Sequence, residues 1–475
     1  MSRPERGRIY HKTEYPLRRG TKHLKRSRRR VYLTNLLVLF GVLLVLEALA
    51  GFLMNIHLKN ADTTAGPVSG SLDAGREVIE CRIDEGSFYL TYYEIGEGPE
   101  EVDTQMYGAG NGEDGSIVGD ATYGSSSTEK TTDLVAAYER AASISGNKVY
   151  TIIPNESGKV TMGFAGDILF DPGYAVFNSY RQRGSRLESV ISEDLLAKMR
   201  GVDIMMINNE FPYSDRGTAQ PNKTFTFRAA TSSAPILQEM GVDIVSLANN
   251  HTFDYGETAF LDTMDTLDGI GMPYVGAGHN LEEAMEPAYY VAGDMVIGIV
   301  AATQIERINY PNTRGATQTS PGVLRCFPST EQVTEAIRTA KENSDFVILF
   351  VHWGTESVVG IDRHQIAQAP QFAAAGADII IGAHPHILQQ IGYVDGVPVV
   401  YSLGNFWFNS RTLNTCMVEL TLENGELSSL QFVPCLQSGC SVSLMHDDKA
   451  LDLIRYMRSI SPTAVIDDEG YVSPK

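Results

Sequence analysis

One pattern occurs three times in this sequence. Gly201-Val202-Asp203-Ile204 leads to Asn208-Asn209-Glu210, Gly241-Val242-Asp243-Ile244 to Asn249-Asn250-His251, and Gly376-Ala377-Asp378-Ile379 to His384-Pro385-His386. In each copy a helix-prone stretch stops at Gly, an apolar run follows, and the run ends in polar side chains. Glycine at such a helix end is expected in the left-handed conformation that it alone tolerates cheaply. The runs MMI, VSLA and IIIGA lack period-two alternation, so they read as strands buried on both faces. Strands of that kind need helices over them, which points to α/β architecture with largely parallel core strands.

Further runs of the same character are VTMGFA, MVIGIVA, FVILFV and PVVYSL. Helix signals fall between them. Ser329-x-x-Gln332 has the form of a capping box, with Val333, Ile337 and Ala340 on one face. Pro235 follows Ser233 at a helix start, and Phe260, Met264 and Leu267 form one stripe before Gly269. This domain is expected over 159–437. A tail over 438–475 carries one helix, Asp447–Ile460, stopped by Pro462.

Six polar clusters follow predicted strands: Gly166-Asp167, Asn208-Asn209-Glu210, Asn249-Asn250-His251, His352-Trp353-Gly354, His384-Pro385-His386 and Gly404-Asn405. In open α/β sheets ligands bind beyond the carboxyl ends of the strands, so these clusters are expected to converge. A single His-x-His is usually accidental and a single Asn-Asn-His usually a turn; six clusters at strand ends are not. Nitrogen and oxygen donors without thiolate suit Mn, Fe, Zn or Mg.

The strings GFAGDILFD, NNEFPYS, SLANNHTFDYG, VHWGTE, GAHPHILQ and YSLGNF, in this order, resemble the bacterial capsule-synthesis CapA family, which is associated with poly-γ-glutamate. That family is itself similar to the calcineurin-like metallophosphoesterases. The resemblance covers 160–434 and implies a four-layer metallophosphoesterase-like α/β sandwich with two divalent metal ions between two sheets. It implies as metal ligands Asp167, the bridging Glu210 (where the phosphoesterases have Asp), Asn250, His352, His384 and His386, with His251 as general acid. The phosphoesterase pattern has another ligand two residues after the first aspartate; here that position is Leu169. One metal is then weakly held, or the site is mononuclear. Asp254 is expected either to orient His251 or to cap the following helix. Trp353 and Glu356 either shape a cleft or, for Trp353, fill the core. Asn405 either faces the metals or closes a turn. Arg228 is read as solvated unless it meets an anionic substrate, and His279 and His364 as surface residues.

Charge separates the remainder of the chain. The net charge is -20, yet residues 1–30 hold 12 Lys/Arg against two Glu, leaving -30 on everything that follows. A basic arm on an acidic body is not the footprint of a nucleic-acid-binding domain. Between them, Val31–Met54 is an apolar run whose only charge is Glu47, long enough to span a bilayer as a helix, and preceded by Arg28-Arg29-Arg30. The positive-inside bias places 1–30 in the cytoplasm and the rest outside the cell. A cleaved signal peptide ending at Ala48-Leu49-Ala50 is the alternative, disfavoured by the long arm and the apolar residues past that point. The arm is read as a topology determinant before a lipid-headgroup binder. Residues 55–158 are expected to form a spacer, flexible over Gly108–Lys130, with a hairpin from VIECRI and SFYLTYYEI and a short helix over Thr131–Ser143.

The five cysteines share no zinc-type spacing, and no pairing follows from them. There is no G-x-S-x-G, P-loop or G-x-G-x-x-G. The expected function is a membrane-anchored metallohydrolase of capsule or poly-γ-glutamate-like polymer synthesis, meeting an anionic envelope polymer and possible partner subunits of a membrane polymer synthase. Its alternatives are a non-catalytic polymer-binding or export subunit and a phosphodiesterase of wall polymers.

Overall fold

The computed structural model describes three strands between Val78 and Gly108, then residues 140–475 apart from 142, 145, 147 and 306–312. The expected basic arm, the span Val31–Met54, the flexible stretch after Gly108 and most of Thr131–Ser143 lie outside these residues. Among the described residues no helix is long and apolar enough to cross a membrane. The chain divides into two compact units, Met1–Gly119 and Asp120–Lys475. In the first, Val78–Asp84 and Ser87–Tyr93 form the antiparallel hairpin expected from their β-prone runs, and Thr104–Gly108 adds a third strand.

The second unit is built on two mixed sheets. One has seven strands in the order Ile391–Val394, Val397–Val400, Ile379–Ala383, Phe346–His352, Met295–Thr303, Ala288–Ala292, Val149–Ile152. The other has eight, in the order Ser441–Leu444, Glu426–Ser438, Leu413–Glu423, Lys159–Ile168, Ile204–Asn209, Ile244–Ser246, Tyr274–Val275, with Asn405–Trp407 paired to the end of Lys159–Ile168. Met295–Thr303, Phe346–His352 and Ile379–Ala383 pair in parallel, as do Lys159–Ile168, Ile204–Asn209 and Ile244–Ser246, whereas Leu413–Glu423 pairs antiparallel with Lys159–Ile168. Phe164, Met206, Ile299, Phe350 and Ile381 meet between the sheets. The opposite faces are covered by helices: Glu193–Gly201 and Gly256–Gly269 over one, Glu331–Asn343 and Arg363–Ala375 over the other. The order of layers is helix, sheet, sheet, helix. The continuous apolar runs follow directly, since Ile204–Asn209 and Phe346–His352 are buried at every position.

The recurring aspartate has a structural role at the other end of the strands. Asp203 donates its N–H to the Thr161 carbonyl at 2.9 Å and accepts the Thr161 N–H on its carboxylate at 2.7 Å. Asp243 makes the same closed pair with Met205, and Asp378 with Val347. Asp345 repeats it with Val296, without the preceding glycine. Each carboxylate accepts a backbone N–H near the start of a strand, where a ladder acceptor is missing, and so fixes the register of its neighbour.

Two expectations about helix ends are corrected. Gly241 and Gly376 take positive φ, 79° and 116°, but Gly201 does not: it is the last helical residue, and Val202 leaves in extended conformation. Ser329 does not form the expected capping box; its hydroxyl accepts from the Glu331 N–H, and Thr330 stands at the helix start. A capping box does form at Asp362 and Gln365. The tail helix Asp447–Ile460 has the expected bounds and buries Leu453, Ile454 and Met457 in the inter-sheet core.

Candidate metal centre

Both sheets deliver side chains to one point at the carboxyl ends of their strands. Asp167 stands near the end of Lys159–Ile168, Glu210 one residue past Ile204–Asn209, and Asn250 past Ile244–Ser246. From the other sheet, His352 ends its strand and His384 and His386 follow Ile379–Ala383. All but the partly exposed His386 are buried. Two short devices aim them. A β-bulge at Gly166 re-aims Asp167. His384 and His386 sit at φ 99° and 59°, a conformation costing roughly 1–3 kcal/mol each that persists only where the surroundings impose it.

The donors fall into two groups. His352 Nε2 lies 2.7 Å from Asn250 Oδ1, 3.1 Å from His384 Nδ1 and 3.4 Å from Glu210 Oε1. His386 Nδ1 lies 2.9 Å from Asp167 Oδ2 and 2.8 Å from Asn405 Oδ1, with its other nitrogen 4.0 Å from Glu210 Oε1. Ligands around one ion bound at about 2.0–2.1 Å are themselves about 3 Å apart, so most of these spacings match a coordination shell. Glu210 belongs to both groups, with Asp167 and His386 on one side and His352 and His384 on the other.

Electrostatics supports the fit. Both Glu210 oxygens are buried without a hydrogen-bond partner. Burial, and then the nearby Asp167 charge, push its carboxyl well above the usual range. A buried unpaired carboxylate is costly, and a cation between the two groups would remove that cost. Burial alone would raise Asp167 too, but the hydrogen bond and charge of His386, with His352 and Asn208, hold it below its ordinary value. Burial pulls His352 down to about 3 and His384 well below its usual value, leaving both imidazoles neutral with lone pairs to offer. The residues present therefore fit divalent metal ions.

The same shifts fix the pH response of the metal-free protein. An unfolded His352 takes a proton near 6.5 and the folded one only near 3, so in that window unfolding binds protons and stability falls with falling pH. Asp167, held low, acts in the same direction, whereas Glu210, held high, opposes it only above about 4.5. The unfolding temperature of chelator-treated protein is expected to drop steeply from pH 4.5 to 3. A flat calorimetric profile across that interval would contradict this account.

Beside the donors, His251 Nδ1 is 2.7 Å from Asp254 Oδ2, and Asp254 is fully buried. Asp254 also accepts from the Phe227 N–H at 2.7 Å and from Lys223 Nζ at 2.5 Å. Lys223 Nζ reaches the Asn250 carbonyl as well. Asp254 thus contacts His251 and does not cap the next helix, at whose start Tyr255 stands without a side-chain cap. Burial pulls His251 below its ordinary value, Asp254 opposing and Lys223 adding to the effect.

The remaining candidates are distributed as follows. Trp353 is core: it is fully buried, donates to the Tyr401 carbonyl and stacks on the Tyr401 ring. Glu356 is exposed but brings its carboxylate near His384 and His386. Arg228 lies over the Tyr255 ring. Leu169 is buried in the core beneath the helices. His279 pairs with Glu283, and His364 packs edge-on against Phe327, away from the donor groups. Cys326, Cys416, Cys435 and Cys440 are free and buried. Sequence reasoning missed Lys223 altogether and gave no part to Asn208, whose amide bonds Asp167 at 2.7 Å and approaches His352 Nδ1 at 3.3 Å. Asn208 was marked only by its place in a strand-end cluster, and Lys223 by nothing.

Fold and site together define a mixed α/β protein with a buried, histidine- and carboxylate-rich candidate metal centre between two sheets. A family model described as bacterial capsule synthesis protein PGA_cap matches residues 161–410, more than half the chain and the whole of this site, and the chain belongs to that family. It is 29% identical over 283 residues to the PGA biosynthesis protein CapA of Bacillus subtilis, covering 58% of this chain and 71% of that one. The capsule biosynthesis protein CapA of Bacillus anthracis is 29% identical over 316 residues, covering 64% and 74%. A probable polyglutamine synthesis accessory protein of Mycobacterium tuberculosis is 28% identical over 208 residues, covering 43% and 55%.

Proposed function

We propose that this capsule-synthesis family member is a metal-dependent hydrolase of the cell envelope, anchored by Val31–Met54 with its second compact unit outside the cell, acting on an anionic polymer of the poly-γ-glutamate kind. The observation that carries the reading is Glu210: a buried carboxylate without a hydrogen-bond partner, shared by two groups of donors. Asp167, Glu210, Asn250, His352, His384 and His386 would hold two divalent ions, as in the metallophosphoesterases the sequence resembles. Bound there, the ions supply Lewis acidity and lower the pKa of water. The chain's own part is positioning and proton transfer. Asp254 fixes the His251 ring through Nδ1, so that Nε2 can take a proton released by the attacking water and give it to the departing nitrogen or oxygen. Neutral Asn250 as a donor leaves net positive charge at the centre.

A second reading has its own observation. Leu169 fills the core where the phosphoesterases have a ligand, so a weakly loaded site could serve a subunit that holds the polymer for export without cleaving it. Full-length protein with Mn, assayed on γ-glutamyl peptides and on phosphodiesters, separates these. Hydrolysis of γ-glutamyl peptides that falls about 100-fold or more in His251→Ala, with metal content unchanged, is the expected result. Hydrolysis of phosphodiesters alone would reassign the substrate to wall polymers. Hydrolysis of neither, with metal bound, would leave the polymer-holding reading.

A further inference from the structure

The two donor groups are unequal. His352 has Asn250, His384 and Glu210 around one of its nitrogens. The other group has Asp167, Glu210 and His386, and the nearby Leu169 offers no donor. This inference rests on the metal-centre reading above and concerns what completes that second group. We infer that Asn405 supplies the missing donor through Oδ1.

Three observations converge on it. Asn405 is 1% exposed, and its Oδ1 lies 2.8 Å from the same His386 nitrogen that Asp167 approaches at 2.9 Å. Two oxygens at about 3 Å from one ring nitrogen have the spacing of ligands gathered on a single ion. The backbone brings the two residues together. Asn405 begins the strand Asn405–Trp407, which pairs in parallel with Lys159–Ile168 so that Asn405 stands directly opposite Asp167. The approach is close enough for the Asp167 N–H to reach the Gly404 carbonyl at 3.2 Å, with Gly404 at φ 71°. Chemistry agrees as well. Asp167 and Glu210 already bring two negative charges, and a neutral amide oxygen adds a hard donor without quenching the ion. Glu356 is the competing donor, since its carboxylate also comes near His384 and His386. It is exposed, however, and a solvated carboxylate gives up its own hydration to bind.

Titrating full-length protein with Co(II), following heat and visible absorption together, tests the assignment. The wild type is expected to take two ions of unequal affinity. Asn405→Ala should weaken the second at least about 10-fold and leave the first unchanged. Asn405→Asp, which keeps an oxygen donor and adds charge, should restore two ions and shift the absorption of one of them, and Glu356→Ala, which removes the competing donor, should change neither constant. Unaltered constants and spectra in both Asn405 variants would overturn the inference, as would loss of the second ion in Glu356→Ala instead. A wild type that binds one ion would overturn it while leaving a mononuclear centre; one that binds none would overturn it together with the metal-centre reading.

Discussion

Glu210→Gln is expected to give a protein that is more stable than the wild type in chelator and that metal no longer stabilises. Glu210 sits fully buried, both oxygens without a hydrogen-bond partner, beside the Asp167 carboxylate. In the metal-free protein its charge is opposed by burial and by its neighbour, so a neutral amide of the same shape removes a penalty. With metal the order reverses. A ligand at 100 times its Kd stabilises a folded protein by about 2.7 kcal/mol, and the wild type should gain that much from Mn. The variant keeps one amide oxygen but loses the charge and the second oxygen with which a carboxylate can serve both groups, and its affinity should fall by roughly 100-fold or more, leaving almost no gain at the same concentration. Thermal unfolding of both proteins at pH 8, with chelator and with Mn, reads the two effects separately. A variant destabilised in chelator and still raised by Mn would show that Glu210 is an ordinary buried group.

Gly166→Ala should be among the most damaging single-methyl additions in the chain. A Cβ on Gly166 would lie 1.8 Å from the Gly404 carbonyl oxygen and 3.0 Å from its carbon, both backbone atoms that no rotamer change can move. The bulge at Gly166 and the docking of Asn405–Trp407 cannot both survive it. Overpacking of a tight core costs about 1–3 kcal/mol and occasionally more; a backbone clash at this spacing belongs at or above the upper end. Because the two strands carry Asp167 and Asn405, metal affinity should fall along with stability. Gly201→Ala is the control: nothing lies within 4 Å of its Cβ and its φ is ordinary, so the change should be neutral or mildly stabilising. Equal unfolding temperatures for the two variants would refute the packing argument.

These two positions also show what a sequence can disclose. The strands were legible because burial on both faces leaves uninterrupted apolar runs, and the donors because strand ends in such sheets point to one side. The recurring Gly-x-Asp-Ile was legible as a pattern but not as a mechanism. Its aspartates clamp the amino ends of parallel strands, and Asp345 does so after Ser344, outside the glycine pattern. The choice between the two roles open to Asn405, and any role for Lys223, were illegible for one reason. Each acts on residues far along the chain, Asn405 on Asp167 and His386, Lys223 on Asp254 and the Asn250 carbonyl. Such contacts depend on how strands stack, and local periodicity carries no trace of them. Leu169 worked the other way: its mismatch with the phosphoesterase pattern was visible at once, and its place in the helix-side core shows that no donor is hidden there.

The central claim is that strand-end donors from the two sheets form one metal centre. Equilibrium dialysis of full-length protein against Mn, followed by elemental analysis, tests it most directly when wild type is compared with the double variant His352→Ala, His384→Ala. Two ions per wild-type chain, and at most one in the double variant, is the predicted result. A wild type without bound metal, or a double variant that retains the full wild-type content, would contradict it.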